Sequence, residues 1–556
     1  MSGRAVLVYL VCWWWLQLVG GLFLTPVVEV SQGRLRGLRS YSGQYRYYGI
    51  PYATSERFQP PRSPRKWSGI FHAVSRFDSC AQTLAVFRIG REECQFLDVY
   101  TPGRAAQGRG LPVLVFLHGG AYYMGSKWHY DPEYLVNKDV IVVTVNYRLG
   151  VLGFLCLHNV ANLGLKDQLA ALKWIRRNIS AFGGDPDNVT ISGHSAGSTS
   201  AAMHLLSRRS KGLFHKAILM SGVALAPWSF NPEPLTPAFE DAAKMGNVRN
   251  ERDVYDTFLK SPLNDVLRAT QGTSIDPRYF KYAPCVDTNF TDAFFHDTPY
   301  NIIRSGDFNK VPVIIGVTDT EGVLFYGFHN QRTLEYLDNN FIDRLPSVFS
   351  WCSDEDKRKI AKEIRSHYFG TQRINSRDAI KGTVDYYSDW ITNAAVHAFS
   401  KLIAKYSDEP VYNYMFSYRG GRNFGSVVYG RGLGLGGATH SDDIFYIFKP
   451  AGFPLRIRQA DMIIIDRQTT MLTNFMKFGD PTPHTSALLP VRWPRSTARR
   501  SVVLHMDRQL HVAAAAEGSQ GLFLLRVLCQ YGLRGYVPCD SAMQCTPCHK
   551  GANKRQ

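Results

Sequence analysis

Gly193-His194-Ser195-Ala196-Gly197 is a G-x-S-x-G pentapeptide placed directly after NVTIS and directly before a run of small residues. In a strand–turn–helix setting, the two glycines permit a turn tight enough to project the serine hydroxyl from the edge of a sheet. A serine hydroxyl is a poor nucleophile at neutral pH and needs a base that removes its proton as it attacks. In this setting the partners follow in the order serine, then Asp or Glu, then His. Only residues beyond 195 therefore qualify. His440 lies in Gly437-Ala438-Thr439-His440-Ser441-Asp442-Asp443, after the glycine-rich RGLGLGG, where a pliant backbone can deliver an imidazole. His204, His215, His296, His329, His367 and His397 stand in helical or polar contexts without such a setting. For the acid, Glu321 and Asp319 both follow VPVIIGV near a strand end, and spacing does not separate them.

Attack on a carbonyl makes an oxyanion, which preorganised backbone donors must meet. One expected donor is the amide after the nucleophile, Ala196. Others are expected from a small-residue loop after an earlier strand, and His118-Gly119-Gly120-Ala121-Tyr122 after LPVLVFL fits, because there the backbone itself must approach the substrate.

These residues need elements to hold them. LPVLVFLH and DVIVVTVNYR are short apolar runs of the kind expected for strands buried on both faces. LKDQLAALKWIRRNISAF carries Leu169, Leu172, Ile175 and Ile179 at helical spacing; NVTISG reads as the next strand and AGSTSAAMHLL as the next helix. FHKAILMSG and KVPVIIGV are further strands. The alternation predicts an α/β fold, a mostly parallel central sheet flanked by helices. Beyond residue 240, DEDKRKIAKEIRSHYF and WITNAAVHAFSKLIAKY read as helices, and so does LHVAAAAEGSQGLFLLRVL near the end.

The 556 residues carry 64 Lys and Arg against 46 Asp and Glu, a formal charge of +18, and 45% of them are hydrophobic, which excludes a disordered chain. Positive charge of this size suits an anionic surface, but charge speaks to loose association rather than to fold. Residues 5–24 are an apolar run after Arg4, with Gly20 and Gly21 near its end; residues 1–21 read as a secretory signal peptide, favoured over an uncleaved signal anchor. A secreted, extracellular protein is expected. Residues 22–495 then form one large domain and residues 496–556 a basic, Cys-rich tail, whose stretch from Arg495 holds 9 Lys and Arg against 3 Asp and Glu.

Export permits disulfides among the ten cysteines. Cys80 and Cys94 close a loop short enough for a local staple. Cys156, inside VLGFLCL, is expected to be a buried inert thiol, and Cys285 and Cys352 have no assignment. Cys529, Cys539, Cys545 and Cys548 contain a single CxxC, which favours disulfide pairing over a zinc site. No metal and no cofactor is expected. Of the sequons at Asn178, Asn188 and Asn289, the first two fall in a predicted helix and strand; Asn289, in the polar DTNFTD, is the expected glycosylation site.

The motifs resemble those of the type-B carboxylesterase and cholinesterase family of α/β-hydrolases, arthropod carboxylesterases in particular. The similarity runs from about residue 26 to about 495 and includes Gly49-Ile50-Pro51-Tyr52-Ala53, Arg57-Phe58, Glu93-Cys94-Gln95-Phe96-Leu97-Asp98-Val99-Tyr100-Thr101-Pro102, Asn146-Tyr147-Arg148-Leu149-Gly150, Gly164-Leu165-Lys166-Asp167-Gln168 and Phe182-Gly183-Gly184-Asp185-Pro186. The resemblance implies an α/β-hydrolase fold and a catalytic Ser195, Glu321 and His440, the Glu of a Glu-Gly pair taking precedence over Asp319. It implies oxyanion donors at Gly120, Ala121 and Ala196 and a Cys80–Cys94 disulfide. It also implies structural ion pairs Arg57–Glu93 and Arg148–Asp167, a supporting role for Ser221, and an acyl-pocket position for Trp228. Departures bear on substrate. His194 stands where the family usually has Glu, and the segment between Cys80 and Cys94 contains no Trp, the aromatic that would hold a quaternary ammonium by cation–π attraction. Choline esters are thereby disfavoured.

The function expected is a secreted serine carboxylesterase acting on a small, hydrophobic ester, with a hormone ester of the juvenile-hormone type or a lipid ester as the narrower guess. A basic tail poised to meet an anionic surface goes with it, and no nucleic-acid partner. The competing reading is a non-catalytic, cholinesterase-like adhesion protein. The set of catalytic residue types is complete, which favours the enzyme.

Overall fold

A computed structural model describes residues 24–84, 87–103, 110–271, 280–430, 432–451, 455, 457–514 and 521–532. The expected signal peptide and Cys539, Cys545 and Cys548 lie outside the described residues.

Strand-forming runs of Val, Ile and Leu assemble, among the described residues, into an eleven-stranded sheet. In chain order its members are β1 (Leu38–Arg39), β2 (Tyr45–Pro51), β3 (Phe96–Thr101), β4 (Leu111–Leu117), β5 (Ile141–Val145), β6 (Gly184–His194), β7 (Lys216–Met220), β8 (Val313–Thr318), β9 (Val411–Phe416), β10 (Val502–Met506) and β11 (Leu510–Ala514). Their spatial order is β11-β10-β9-β8-β7-β6-β4-β5-β3-β2-β1. From β10 through to β5 every pairing is parallel, and the outer strands on both sides are antiparallel. Strand β4 has β5 on one side and β6 on the other, so the chain reverses its direction of travel there. In open parallel sheets the crevice at such a switch point, outside the carboxyl ends of the strands, is where ligand sites form.

Alternate residues of these strands feed two cores. Val113, Val115 and Leu117 of β4 and Ala217 and Leu219 of β7 join one cluster with Leu169 and Leu172 of α1 (Leu163–Asn178) and Met203 of α2 (Ala196–Leu206). Leu114, Phe116, Ile218 and Met220, one residue out of step, join the other with residues 464, 472 and 475 of the helix spanning 459–478. This is the period of two expected of a sheet covered on both faces.

Two expectations about the carboxy-terminal region change. The sheet continues past residue 495 through β10 and β11, so the boundary expected between 495 and 496 falls inside it. The alanine-rich segment expected as helix begins as strand β11, because Leu510, His511 and Val512 pair with Met506, His505 and Leu504 across a tight turn, and this ladder outweighs alanine's helix propensity. A helix does follow at Leu522–Tyr531; Leu524, Val527 and Leu528 are buried, and Phe523 stacks on His367.

The cysteines also part from expectation. Cys80 and Cys94 are bonded, but Cys156 is no inert thiol: it is joined to Cys285, 129 residues on. Asn162 clamps the junction, its Nδ2 donating to the Cys285 carbonyl and its Oδ1 accepting from the Cys285 amide. Sequence proximity could not show this pair, since the chain makes a long excursion between them. Arg148 pairs with Asp167 through two charge-assisted bonds at 2.7 and 2.8 Å. Arg57 pairs with Glu92, not Glu93, which instead accepts from Thr54; the chain bends at Glu92, and only that carboxylate faces the guanidinium.

Candidate active site

Four adjacent strands, β4, β6, β7 and β8, each end at the same crevice and each delivers a segment singled out in the sequence. Ser195 follows β6 with φ 56° and ψ −126°, a conformation that costs a non-glycine residue energy. Its amide donates to Met220 at the end of β7, and its carbonyl takes the first turn of α2 through the Thr199 amide. The flanking glycines are required by close approach: a Cβ on Gly193 would stand 2.2 Å from the Gly197 carbonyl carbon, and one on Gly197 would stand 2.0 Å from the Leu117 carbonyl oxygen. Gly197→Ala is therefore expected to destabilise the fold by about 3 kcal/mol, read as a lower thermal midpoint; an unchanged midpoint would show that the elbow yields.

Strand β8 ends at Thr318, and the chain then turns through both candidate acids. Glu321 is fully buried, with Oε2 2.6 Å from Nδ1 of His440 and Oε1 accepting from the Ser221 hydroxyl at 2.6 Å and the Thr318 amide at 2.8 Å. Burial by itself pushes this carboxyl up, but the His440 charge and the three donors more than offset it, leaving the group below its ordinary range and ionised. Ser221 stands after β7 with φ 54°, its amide on Gly316 of β8. Asp319 points elsewhere: it accepts from the Ala438 amide at 2.7 Å, and burial pushes its pKa up to about 6. The structure thus places Glu321 on the imidazole and gives Asp319 to the loop that carries it.

That loop is fastened at several points. Thr320 donates to the Ala438 carbonyl from both its amide and its hydroxyl, and Thr439 donates to the Glu321 carbonyl. Asp442, buried, accepts from the amides of Gly425 and Thr439, from Asn423 and from the Ser426 hydroxyl. Sequence reasoning missed the parts played by Asp319 and Asp442; a polar residue near a glycine-rich loop carries no signal that its carboxylate will be buried under that loop.

The His440 ring lies 4.8 Å from the ring of His194, the residue before Ser195. With Nδ1 committed to Glu321, Nε2 is the nitrogen left for proton transfer. His194 is buried and, among the described residues, its Nε2 has no hydrogen-bond partner. Burial, then the charge of His440, holds its pKa well below the ordinary value, so it stands neutral beside His440. A carboxylate at this position would instead stabilise the imidazolium of His440. His194→Glu should accordingly move the acid limb of the kcat/KM profile up by about 1 pH unit or more, while His194→Gln leaves it in place; coincident limbs for all three proteins would show that this position does not bear on the base.

After β4, Gly120, Ala121 and Tyr122 have φ of 113°, 57° and 62°. A Cβ on Gly120 would come within 2.1 Å of the Met124 carbonyl oxygen, so only glycine fits. Hydrogen bonds from Gly150 to the Tyr122 carbonyl and from Tyr147 to the His118 carbonyl fix the loop. Among the described residues no acceptor occupies the amides of Gly120, Ala121 or Ala196, and Ala196 opens α2, where the helix dipole favours negative charge. Trp228 is buried on Phe280, ring centroids 5.0 Å apart, and its indole donates to Ile391 in a π-turn, Asp389–Asn393. Phe325 approaches His440 at 6.0 Å. Asn289 lies exposed in a turn, whereas Asn178 is buried and accepts from Ser31. Among the described residues there is no cluster of His, Cys, Asp and Glu suited to a metal ion.

The chain is similar to known proteins over most of its length. The model of the carboxylesterase family matches residues 24–521. Esterase FE4 of Myzus persicae is 33% identical over 509 residues, 84% of this chain and 87% of that protein. Juvenile hormone esterase of Tribolium castaneum is 30% identical, over 83% of this chain and 84% of its own length. The crystal structure of juvenile hormone esterase from Manduca sexta, with OTFP covalently attached, superposes with a TM-score of 0.78 at 27% identity, covering 90% of this chain and 99% of that one. With this extent of similarity laid over an α/β-hydrolase sheet that ends in a serine elbow, the chain belongs to the carboxylesterase family and is a carboxylic ester hydrolase.

Proposed function

We propose that Ser195, His440 and Glu321 act as the catalytic triad of a secreted esterase that takes small hydrophobic esters. The observation that carries this reading is the bond of 2.6 Å from His440 to a buried, ionised Glu321, with the His440 ring 4.8 Å from that of His194, the residue before a serine in a strained turn. The carboxylate fixes the imidazole with its proton on Nδ1, so Nε2 can act as base. Nε2 takes the Ser195 proton as Oγ attacks the ester carbonyl. The carbonyl oxygen, now charged, lies against the amides of Gly120, Ala121 and Ala196. Collapse of the intermediate expels the alcohol, protonated by His440, and leaves an acyl group on Ser195. Water, activated by the same imidazole, then releases the acid.

Preference for an apolar acyl group rests on Trp228 and Phe280, and the absence of Trp between Cys80 and Cys94 argues against choline esters. Relatives that act on hydrophobic hormone esters make such an ester a reasonable substrate class. Export through residues 1–21 suits the disulfides Cys80–Cys94 and Cys156–Cys285, and among the described residues no helix is long and apolar enough to cross a membrane. Asn289, exposed, is the proposed glycan acceptor. The test is treatment with a fluorophosphonate probe followed by peptide mass mapping: the adduct should fall on Ser195, and an unlabelled protein, or an adduct elsewhere, removes the proposal.

A further inference from the structure

Helix α1 carries Lys166, Lys173 and Arg177 at intervals of seven and four residues, which places them on one stripe. Lys166 is buried at one end of the stripe, and Lys173 and Arg177, exposed, are one helical turn apart, about 6 Å at 1.5 Å per residue. Arg62, beside the rigid Pro60-Pro61 pair, and Arg209 close in from two other segments, and together with α1 they bound a surface groove of about 340 Å³. One carboxylate lines it, Asp292, and it is spent on Lys166 at 2.7 Å. Among the described residues no carboxylate pairs with Arg62, Lys173, Arg177 or Arg209; Arg177 only returns a bond to the Lys173 carbonyl of its own helix. The cost of this crowding is visible at Lys173, whose ammonium is held below its ordinary range by partial burial and then by Arg209 and Arg177. Like charges gathered in a concavity without counter-charge are repaid by an anion that enters it.

We propose that this groove docks a sulfated polysaccharide, its successive sulfates lying along the stripe of α1. Guanidinium forks at Arg62, Arg177 and Arg209 match sulfate oxyanions, and these with Lys173 are four cations without a carboxylate partner among the described residues, more than a single ion needs. A bilayer is disfavoured because none of the exposed large apolar side chains among the described residues belongs to the segments that form the groove, which therefore lack a wedge to enter lipid. Nucleic acid is disfavoured because the one aromatic in the lining, Tyr52, is buried and offers bases no stacking face. The site belongs to the folded domain and does not rely on the basic carboxy-terminal residues.

The experiment uses the full chain and a heparin octasaccharide. Lys173→Glu/Arg177→Glu/Arg209→Glu is compared with Arg332→Glu/Arg358→Glu/Lys401→Glu, exposed cations outside the groove whose reversal changes net charge equally. The groove variant should bind about a hundredfold more weakly, with a flatter dependence on salt, while the control stays within about threefold of the parent. Both should keep parental turnover of a soluble ester, which shows that they are folded. Equal losses in the two variants would assign the affinity to net charge or to the tail and overturn the proposal. Retained heparin binding by the groove variant would also overturn it, as would a groove-dependent affinity confined to phosphatidylserine vesicles.

Discussion

Alanine at Ser195 or at His440 should lower kcat on a 4-nitrophenyl ester by about 10⁶-fold, and the double variant should be no worse than either single one. The geometry explains the non-additivity. Ser195 is held by its own backbone, through the Met220 carbonyl before the turn and the first turn of α2 after it, and its hydroxyl reacts only if a base accepts the proton. His440 has one nitrogen bound to Glu321 and a single nitrogen left, so without Ser195 it has nothing to activate. Each group is useless without the other. The residual rate over water would come from the amides of Gly120, Ala121 and Ala196, which both variants keep. A drop below about tenfold would place the nucleophile elsewhere if seen at Ser195, and the base elsewhere if seen at His440.

Glu321→Gln should lower kcat by about 10⁴-fold while the protein stays folded. The Oε1 position accepts two donors, the Ser221 hydroxyl and the Thr318 amide, so the glutamine carbonyl will keep that place. Its NH₂ must then face His440, where it donates to Nδ1 and forces the ring proton onto Nε2. The base is thereby presented in the tautomer that cannot accept the serine proton. Asp319→Asn, by contrast, keeps an acceptor for the Ala438 amide and should leave kcat within about tenfold of the parent. A reversed order of these two variants would show that the acid had been misassigned. The same variant carries a stability signature. Because the folded-state pKa of Glu321 lies below its ordinary value, its contribution is complete above the unfolded-state pKa and is lost as pH falls through the folded one. The glutamine protein should therefore show a shallower loss of thermal stability on acidification than the parent.

The elbow was legible because it is local: glycines two residues either side of Ser195 and a strand–helix alternation are written in consecutive residues. Helices α1 and α2 and strands β4 to β8 were legible for the same reason, through period and β-branched content. His440 could be chosen by its glycine-rich surroundings, although the carboxylates that pin its loop could not. The acid was not legible from spacing at all. Asp319 and Glu321 leave the same strand two residues apart, and the resemblance to a family, not the pattern of residues, favoured Glu321. The ion pair of Arg57, the Cys156–Cys285 bond and the strand Leu510–Ala514 were misread because each depends on which residue the folded chain sets opposite it.

By itself, then, the sequence determined the α/β class, the serine at a strained turn, a small-residue loop of free amides and the kind of chemistry these can support. All of that follows from short-range sterics and hydrophobic period. The tertiary structure decided the pairings: Glu321 on His440 across 119 residues, Ser221 on Glu321 across 100, Arg57 on Glu92, and a stripe of cations from α1 facing Arg62 and Arg209. The physical reason is the order of strands in the sheet. Placing β4, β6, β7 and β8 side by side brings their carboxyl ends to one crevice, and no local preference of the chain records which strand becomes the neighbour of which.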